Sequence, residues 1–577
     1  MNDAQLMERP RRWDAPFDPG MSDEVVDALL LRPEFSTIVA SRFPDAAPLR
    51  GILQNDCRIG VYQPGDIIVR EGDYGNSAFL ILLGDACVVL PPGLPREVLG
   101  RATDKKRGAF SVLRDMLTHS TVPEVRDTHL YRSAADRLRG AGEARDSLLS
   151  VPDPARLFAA GAAPNAQITR LPPLAAAFKT LGLPPGTLFG EIAALGRVQR
   201  SATIYAETEC RIVEMRWQAL RDIKNRDETW RERIEQGYRD NQLRTHLAEH
   251  PLLAGIDSKA LQKIANLTLF ETYGSFEWNL GFKSGKRDER LTPGSEPSVA
   301  LEGDYPDGLL LVIGGFGRVS IELGHGARTL TYLREGDTFG LDELTEAWKS
   351  GQDCPYETSL TALGYLHVLR IPYSVLAELV FPKLSGQAKR LIDAASRPIA
   401  DDAFLEWSVE QRFINGTKTM LIDLEKCTRC DDCVRACADT HGGNPKFIRH
   451  GQTLGNWMVA NACMQCVDPV CMIGCPTGAI HRTTEGGVVV INDLTCIGCG
   501  TCANACPYDN IRLVPIREKN GQQVLDPTSR EPILKATKCD LCASLPSGPS
   551  CERACAHDAL KRVDIQSLIQ RAAQLEG

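Results

Sequence analysis

Hydrophobic and polar residues alternate along two stretches in the first part of the chain. From Val61 to Leu90 the alternation is interrupted by Gly, Pro and Asp, which is typical of short antiparallel strands joined by tight turns. The strand pattern returns from Gly186 to Glu214, and the charged run from Trp217 to His250 favours helix. These residues predict a small barrel or jelly roll followed by a helix.

The same scheme recurs further along the chain. Residues 251–276 predict a helix and then a strand, and residues 309–323 a strand, a turn and a second strand. Residues 333–344 predict a turn and a short helix, and residues 358–371 paired strands. Self-similarity over about 170 residues indicates an internal repeat. Helices over residues 373–414 are expected to bridge this second unit to the rest of the chain.

Composition narrows the class of protein. A chain of 577 residues is long enough for three or four domains, and its net charge of -8 argues against a general nucleic-acid-binding role. No secretory or twin-arginine signal is recognisable in residues 1–22, and no run approaches the roughly 20 apolar residues of a membrane helix. We therefore expect a cytoplasmic protein without a membrane span. Its twenty cysteines are then expected to be metal ligands before disulfides.

The distribution of the cysteines indicates iron–sulfur chemistry. Sixteen of them lie between Cys427 and Cys555, and the other four are scattered over the preceding residues. They form four tetrads, of which the first and third have the C-x2-C-x2-C-x3-C spacing of two-cluster bacterial ferredoxins. The tetrads are Cys427, Cys430, Cys433, Cys437; Cys463, Cys466, Cys471, Cys475; Cys496, Cys499, Cys502, Cys506; and Cys539, Cys542, Cys551, Cys555. Zinc is the alternative, but zinc sites usually pair two C-x2-C units across a longer spacer.

The stretches CTRCDDCVRAC, CMQCVDPVCMIGCPTGAI, CIGCGTCANACPYDNI and CDLCASLPSGPSCERACAHDAL carry a resemblance. Residues 420–563 resemble the four-cluster electron-transfer subunits of molybdopterin oxidoreductases, such as the dimethyl sulfoxide reductase family and related hydrogenase subunits. The resemblance implies four [4Fe-4S] clusters in a double bacterial-ferredoxin-like domain. It also implies the ligand sets Cys427, Cys430, Cys433 with Cys555; Cys539, Cys542, Cys551 with Cys437; Cys463, Cys466, Cys471 with Cys506; and Cys496, Cys499, Cys502 with Cys475.

A second resemblance is carried by FGEIAAL, at residues 189–195, and by RSAT, at residues 200–203. This segment resembles the phosphate-binding cassette of cyclic-nucleotide-binding domains, as in protein kinase regulatory subunits and the bacterial catabolite activator. Free N–H groups of a helix beginning near Gly190 suit a phosphate, Arg200 suits its charge, and Glu191 suits a ribose hydroxyl. The resemblance implies a site for cyclic AMP or cyclic GMP formed by Gly190, Glu191, Ile192, Ala193, Arg200 and Ser201.

The second unit departs from that cassette. Its equivalent residues place Leu341 where the ribose glutamate belongs and Tyr356 where the phosphate arginine belongs, while Glu357 would repel an anion. We expect the second unit to be structural or to bind a protein.

Together these features predict a multidomain α+β chain with two cyclic-nucleotide-binding-type jelly-roll barrels, flanking helices and an iron–sulfur domain. The predicted domains are an N-terminal extension (1–35), a first unit (36–248), a degenerate second unit (249–412) and the four-cluster domain (413–577). An insertion at 91–185 splits the first unit. It suits either a solvated loop or a docking arm, and the sequence does not separate the two.

No dinucleotide fingerprint, flavin motif or pterin site is recognisable, so no catalytic residue is assigned. The main hypothesis is an electron-transfer subunit that serves a flavin or molybdopterin oxidoreductase, a redox carrier protein, or both, under nucleotide control. The alternatives are a redox or oxygen sensor that signals through the nucleotide-binding units, and a plain carrier with inert barrels. Nothing indicates nucleic-acid binding, and homo-oligomerisation is left open.

Overall fold

A computed structural model describes residues 6–89, 180–383 and 403–569. Short gaps fall at 15, 197–198, 242, 244–246, 248–249, 254, 276–277, 279–281, 283–295, 325, 484–485, 519, 544 and 546. Most of the insertion predicted at 91–185 lies outside the described residues, and its end, Thr180–Leu183, forms a strand. The domain boundaries given above stay predictions.

The helices fall in three groups along the chain, around the first β unit, around the second, and within the cysteine-rich module. They are α1 (Asp23–Leu30), α2 (Pro33–Ser36), α3 (Leu49–Asp56), α4 (Glu191–Gly196), α5 (Trp217–Lys224), α6 (Glu228–Asn241), α7 (Ser258–Leu267), α8 (Leu341–Ser350), α9 (Tyr373–Leu379), α10 (Ala403–Glu410), α11 (Asp432–Thr440), α12 (Thr501–Ala505) and α13 (Ser550–Arg553). Within the described part of the chain, no helix has the length and apolar character needed to cross a membrane.

The first β unit is a two-sheet sandwich. Its strands are β1 (Cys57–Tyr62), β2 (Ile67–Val69), β3 (Ser77–Leu83), β4 (Ala86–Val89), β5 (Thr180–Leu183), β6 (Leu188–Phe189), β7 (Ile204–Ala206) and β8 (Cys210–Arg216). The sheets have the orders β1-β8-β3-β6 and β2-β7-β4-β5. This is the double Greek key of a jelly roll, so the predicted architecture is confirmed as two facing sheets. Apolar side chains from both sheets form the core between them, such as Phe79 and Ile212 from the first sheet and Ile204 from the second.

The helices beside this sandwich bury an apolar stripe on its outer face. In α1, the Ser22 side chain caps the helix by accepting from the Val25 N–H, and Val26 and Leu29 are buried. Trp230 in α6 is 1% exposed, and its Nε1 donates to the Glu34 carbonyl at 2.9 Å. The predicted helix after the first unit is therefore confirmed as α5 and α6. These two helices and α1 contribute buried side chains to the same hydrophobic core.

The second β unit repeats this plan with longer strands. Its strands are β9 (Leu269–Gly274), β10 (Ser298–Ala300), β11 (Gly308–Leu323), β12 (Gly326–Leu333), β13 (Thr338–Phe339) and β14 (Ser359–Pro372). They form one sheet of order β10-β14-β11-β12, with β13 added on β11 and β9 on β14. The long strands β11 and β14 each pair with three other strands of this sheet.

Two expectations for the second unit were wrong in detail. Residues 309–323 and 358–371 were each expected to contain separate strands, yet each is one continuous strand. The ladder between them shifts register on either side of Gly315, which has a φ of +81°. Gly364, with a φ of +100°, bends the partner strand. A glycine bulge therefore turns the strand without ending its pairing.

The cysteine-rich module consists of small sheets joined by the cysteine loops. Its strands are β15 (Thr419–Asp423), β16 (Ile448–Leu454), β17 (Trp457–Asn461), β18 (Ile480–Arg482), β19 (Val489–Ile491), β20 (Arg512–Pro515), β21 (Leu534–Thr537) and β22 (Leu560–Val563). The largest sheet has the order β16-β17-β15-β22, and β18-β19 and β20-β21 form two hairpins. Strand β22, near the end of the chain, pairs with β15 near the start of the module.

Both β units pack on this module. On the side of the first unit, Arg221 of α5 donates to the Ile473 carbonyl, and Asn76 Nδ2 donates to the Arg482 carbonyl at 3.0 Å. On the side of the second unit, Trp278 Nε1 donates to the Asp468 carboxylate at 3.2 Å. The cysteine-rich module therefore contacts both units directly.

A buried ion-pair cluster strengthens the second contact. Glu296 accepts from Arg318 at 3.0 Å and from Arg412 at 3.3 Å, and all three residues are buried. Burial lowers the pKa of Arg412 to about 10. Removing one partner of such a cluster would leave an uncompensated buried charge, which is strongly destabilising.

Candidate functional site

The sixteen clustered cysteines divide into the four ligand sets that the resemblance implies. Quartet A is Cys427, Cys430, Cys433 and Cys555; quartet B is Cys437, Cys539, Cys542 and Cys551; quartet C is Cys463, Cys466, Cys471 and Cys506; and quartet D is Cys475, Cys496, Cys499 and Cys502. In quartet B, burial raises the pKa of Cys437, and the nearby thiols Cys539, Cys551 and Cys542 raise it further. Each quartet thus joins three cysteines of one motif to the fourth cysteine of another.

The other quartets follow from the same neighbour relations. Burial and then neighbouring thiols, Cys555 for quartet A and Cys506 for quartet C, raise the pKa values of Cys433 and Cys471. For quartet D, burial and then Cys475, Cys496 and Cys499 raise the pKa of Cys502 to about 12. The thiols of quartets B, C and D therefore lie near one another in the combinations that the resemblance implies, and in quartet A Cys433 lies near Cys555. None of the sixteen thiols is in a disulfide.

Each cysteine loop contains a backbone turn of the same kind. The residue directly before the second cysteine has a positive φ in all four motifs: Arg429 (61°), Gln465 (54°), Gly498 (67°) and Leu541 (58°). This left-handed conformation costs about 1–2 kcal/mol in a residue other than glycine. Alternation of right-handed and left-handed residues turns successive N–H groups inward and makes an anion-binding concavity, as at many Fe–S sites.

Backbone N–H groups also donate directly to the sulfurs. The Lys446 N–H lies 3.2 Å from Cys437 Sγ, the Ala559 N–H lies 3.3 Å from Cys555 Sγ, and the Leu541 N–H lies 3.5 Å from Cys539 Sγ. Donors of this kind stabilise a negatively charged thiolate. Four soft thiol donors with inward N–H groups fit a [4Fe-4S] cluster.

Two cationic side chains lie between quartets B and C. Lys538 Nζ is 3.4 Å from Cys463 Sγ, and Arg562 Nη2 is 3.0 Å from Cys539 Sγ. Burial lowers the pKa of Lys538, but the charges of Cys463 and Cys539 outweigh it, and the net shift is upward. Lys538 therefore stays protonated beside the thiols.

The most exposed cysteines belong to quartets A and D. Among the cysteines of the described part, Cys430 of quartet A and Cys499 of quartet D are exposed, and the others are buried or half-buried. His441, near quartet B, donates from Nε2 to the Asp540 carboxylate at 3.1 Å. Burial raises the pKa of Asp540, but this hydrogen bond, with the charges of His441 and Lys446, holds it below its usual range.

The cassette of the first unit forms a buried polar cluster. Gly190, with a φ of +76°, precedes α4, and Glu191 begins the helix at 3% exposure. Arg200 is 8% exposed and donates to the Gly190 and Ser77 carbonyls, both at 2.6 Å. Ala193 is buried and Ser201 is exposed, while the Ile192 side chain lies outside the described part.

Burial dominates the electrostatics of this cluster. It raises the pKa of Glu191 to about 7, although its backbone hydrogen bond and the Arg200 charge work in the opposite direction. It lowers the pKa of Arg200 to about 10, against the charges of Glu214 and Glu191. The first unit therefore brings a buried cation and a buried acid to the start of α4.

In the second unit a tyrosine occupies the place of that arginine. A methyl group on Gly190 would lie 2.5 Å from Arg200 Nη1, and one on Gly340 would lie 2.9 Å from Tyr356 Cε1. Tyr356 is 4% exposed, with its ring centroid 5.0 Å from that of Phe339. Its ring therefore lies against the glycine that precedes α8, where the first unit has a guanidinium.

A short set of contacts connects the first cassette to quartet C. A methyl group on Gly75 would lie 2.6 Å from Arg200 Cζ, and the neighbouring Tyr74 ring lies beneath the Arg482 guanidinium at 4.9 Å. Arg482 donates to the carbonyls of Cys466 and Val467. Residues 74–77 thus contact Arg200 on one side. On the other side they contact Arg482, which donates to the backbone carbonyl of Cys466 in quartet C.

Comparison with known proteins agrees with these quartets. Residues 455–524 match the model of the 4Fe-4S dicluster domain. The electron transport protein HydN of Escherichia coli is 34% identical over 167 residues, covering 27% of this chain and 93% of HydN. A component of the anaerobic dimethyl sulfoxide reductase of Haemophilus influenzae is 34% identical over 25% of this chain and 73% of its own length.

This chain belongs to the HydN-type family of 4Fe-4S electron-transport proteins. Membership confirms the predicted iron–sulfur module and favours electron transfer over the sensor hypothesis. The family's module binds 4Fe-4S clusters, and in this chain it occupies roughly the last quarter of the sequence.

The β units lie outside that HydN-type match. The cyclic-AMP-bound regulatory domain of protein kinase A from Toxoplasma gondii is 13% identical over 66% of this chain and 99% of its own length, with a TM-score of 0.20. The resemblance of the first unit to cyclic-nucleotide-binding domains therefore rests on its strand order and on the cassette residues.

Sequence reasoning missed the cations between quartets B and C and the left-handed residues of the loops. Lys538 directly precedes Cys539, which is a weak signal, whereas Arg562 lies on a strand outside every motif. In the loops, only Gly498 carries a sequence signal for positive φ.

Proposed function

We propose that this protein is an electron-transfer subunit that holds four [4Fe-4S] clusters, one in each of quartets A to D. The observation that supports this most directly is the close approach of the four thiols within each of quartets B, C and D, together with that of Cys433 and Cys555 in quartet A. The proposed ligands are the sixteen cysteines of those quartets. A bound cluster supplies one-electron redox chemistry, and the chain's own residues hold it, donate hydrogen bonds to its sulfur ligands and exclude water.

The proposed path runs A–B–C–D. Cys433 of quartet A raises the pKa of Cys551 of quartet B, behind the larger effect of burial, so these two quartets are neighbours. Lys538 contacts both B and C, and one apolar cluster contains cysteines of both C and D. Exposed Cys430 and Cys499 lie at the two ends. Electrons would enter at one end and leave at the other.

The proposed partners are a catalytic oxidoreductase subunit, carrying a flavin or molybdopterin, and a redox carrier protein. Support comes from two relatives of this chain, an electron transport protein and a component of a reductase. The reduced thiols suit a reducing compartment such as the cytoplasm.

Metal analysis of anaerobically purified full-length protein tests the cluster assignment. Four [4Fe-4S] clusters require about sixteen irons per chain, whereas four zinc sites would give about four zincs. Cys437→Ser should remove the cluster of quartet B, and Cys354→Ser, outside the quartets, should leave the iron content unchanged. Zinc in place of iron, or about eight irons, would refute the assignment.

A second proposed function is cyclic-nucleotide binding at the first cassette, by Gly190, Glu191, Ile192, Ala193, Arg200 and Ser201. The observation that favours it is the buried Arg200 guanidinium beneath the turn before α4, where the second unit has a tyrosine. Isothermal titration of the full chain with cyclic AMP and cyclic GMP tests it. Saturable binding of either supports the proposal, and absence of heat for both, at concentrations far above the protein, refutes it.

Nucleotide control of electron transfer is the corresponding proposal. The contacts from Arg200 through residues 74–77 to Arg482 and Cys466 give such control a physical route. A ligand that draws Arg200 away from the Ser77 carbonyl would shift residues 74–77 and, through them, Arg482, which donates to the Cys466 carbonyl of quartet C. Equal reduction rates with and without a bound nucleotide would exclude it.

A further inference from the structure

Lys538 and Arg562 connect quartets B and C by crossed contacts. Lys538 Nζ lies 3.4 Å from Cys463 Sγ of quartet C and 2.9 Å from the Cys539 carbonyl of quartet B. Arg562 has the opposite pattern: Nη2 lies 3.0 Å from Cys539 Sγ, and Nη1 lies 3.2 Å from the Cys463 carbonyl. Each cation therefore touches a sulfur of one quartet and the backbone of the other.

These cations are poorly screened by solvent. Lys538 is 3% exposed, and its Nζ also donates to the Val489 carbonyl. Arg562 is half-buried, and its Nε atom is buried without a hydrogen-bond partner in the described structure. A charge inside the protein acts on its neighbours through a lower effective dielectric than a surface charge. Their effect on the adjacent clusters is accordingly strong and insensitive to salt.

Reduction of a cluster adds one negative charge without breaking a bond. Net charge and hydrogen bonds to the sulfurs are among the factors that set cluster potentials. A fixed positive charge stabilises the reduced form more than the oxidised form and so raises the potential. Because both cations contact both quartets, an electron moving from B to C stays within the same positive field.

We propose that Lys538 and Arg562 raise the reduction potentials of the clusters in quartets B and C and keep the two potentials close together. This rests on the proposed four-cluster function. In the transfer step, the cluster in B is oxidised by one electron and the cluster in C is reduced by one. No proton moves in this step. The primary reductant is the proposed partner protein.

The test is an EPR-monitored redox titration of the full chain and of Lys538→Met and Arg562→Gln. Each variant removes one positive charge; methionine is close to lysine in length, whereas glutamine is shorter than arginine. We expect each to weaken reduction of at least one cluster by tenfold or more, equivalent to about 59 mV for a one-electron couple. Lys538→Arg should restore the native potential. The matched control is Lys561→Met, next to Arg562 on β22, because the Lys561 side chain is 57% exposed and paired with Asp558.

Metal analysis of the same samples separates the two proposals. Native protein with fewer than about sixteen irons would refute the four-cluster assignment itself. Full iron content with unchanged potentials in both charge-removing variants would overturn the tuning role alone. Loss of iron from both variants would also overturn it, since the cations would then retain clusters instead of setting their potentials.

Discussion

Arg200 offers the sharpest test of the nucleotide proposal, because its neighbours limit what it can contribute. A guanidinium has five N–H donors, and Arg200 uses donors on two nitrogens to reach the Gly190 and Ser77 carbonyls. The remaining donors are available to a phosphate. Hydrogen bonds to charged groups contribute about 1.5–3 kcal/mol each. One net bond of about 2–3 kcal/mol corresponds to roughly 30- to 150-fold in affinity.

We therefore expect Arg200→Ala to weaken cyclic-nucleotide binding by roughly 30- to 150-fold in isothermal titration. The affinity of Arg200→Lys should lie between those of the native chain and Arg200→Ala, because lysine keeps the positive charge but lacks the planar guanidinium group. Tyr356→Phe, at the matching position of the second unit, should bind like the native chain. Equal affinity of Arg200→Ala and the native chain would refute the reasoning.

Stability must be measured on the same variants. Arg200→Ala leaves the Ser77 carbonyl, which is buried, and the half-buried Gly190 carbonyl without their donor, at a cost of about 1–3 kcal/mol for a buried group. A loss of binding accompanied by unfolding of the first unit would not report on phosphate contact. Comparison with Arg200→Lys at a temperature where both are folded separates these effects, since lysine can still donate to one carbonyl.

Three further predictions concern stability. Tyr356→Ala should lower the free energy of unfolding by about 3–5 kcal/mol, because it leaves a cavity beside Phe339. Tyr356→Phe should leave the free energy of unfolding unchanged, because the buried hydroxyl has no hydrogen-bond partner in the described structure; thermal unfolding of both variants measures these effects. The folded state binds the Glu191 proton more tightly than the unfolded chain, so stability should fall as pH rises from 4.5 to about 7, by roughly 3 kcal/mol. A native protein with the same pH slope as Glu191→Gln would contradict this. Arg429→Gly should relieve a left-handed residue by about 1–2 kcal/mol and slow the loss of cluster absorbance in air, whereas Arg429→Ala should not; identical decay rates for the two would count against it.

The sequence predicted the elements whose signals are local. The C-x2-C spacing identified the cysteine motifs, and strand alternation identified both β units. Tyr356 was correctly matched to Arg200 from a short stretch of residues, and the structure puts both side chains against the corresponding glycine.

Features that depend on distant residues were not predictable in the same way. Nothing in residues 309–323 distinguishes a turn from a bulge, because the distinction depends on whether β14 continues alongside. Arg562 reaches Cys539 only because β22 pairs with β15. Both are consequences of tertiary pairing between residues far apart in the chain.

The cross-connection of the motifs has a consequence for synthesis on the ribosome. Under the proposed ligand assignment, quartets C and D draw all their cysteines from residues 463–506, whereas quartets A and B need cysteines from both 427–437 and 539–555. The inner half of the module is thus nested within the outer half. Because the chain is synthesised from its N-terminus, all the cysteines of quartets C and D have been translated before the sets of quartets A and B are complete. The first motif waits with an incomplete set until the last cysteine, Cys555, has been translated.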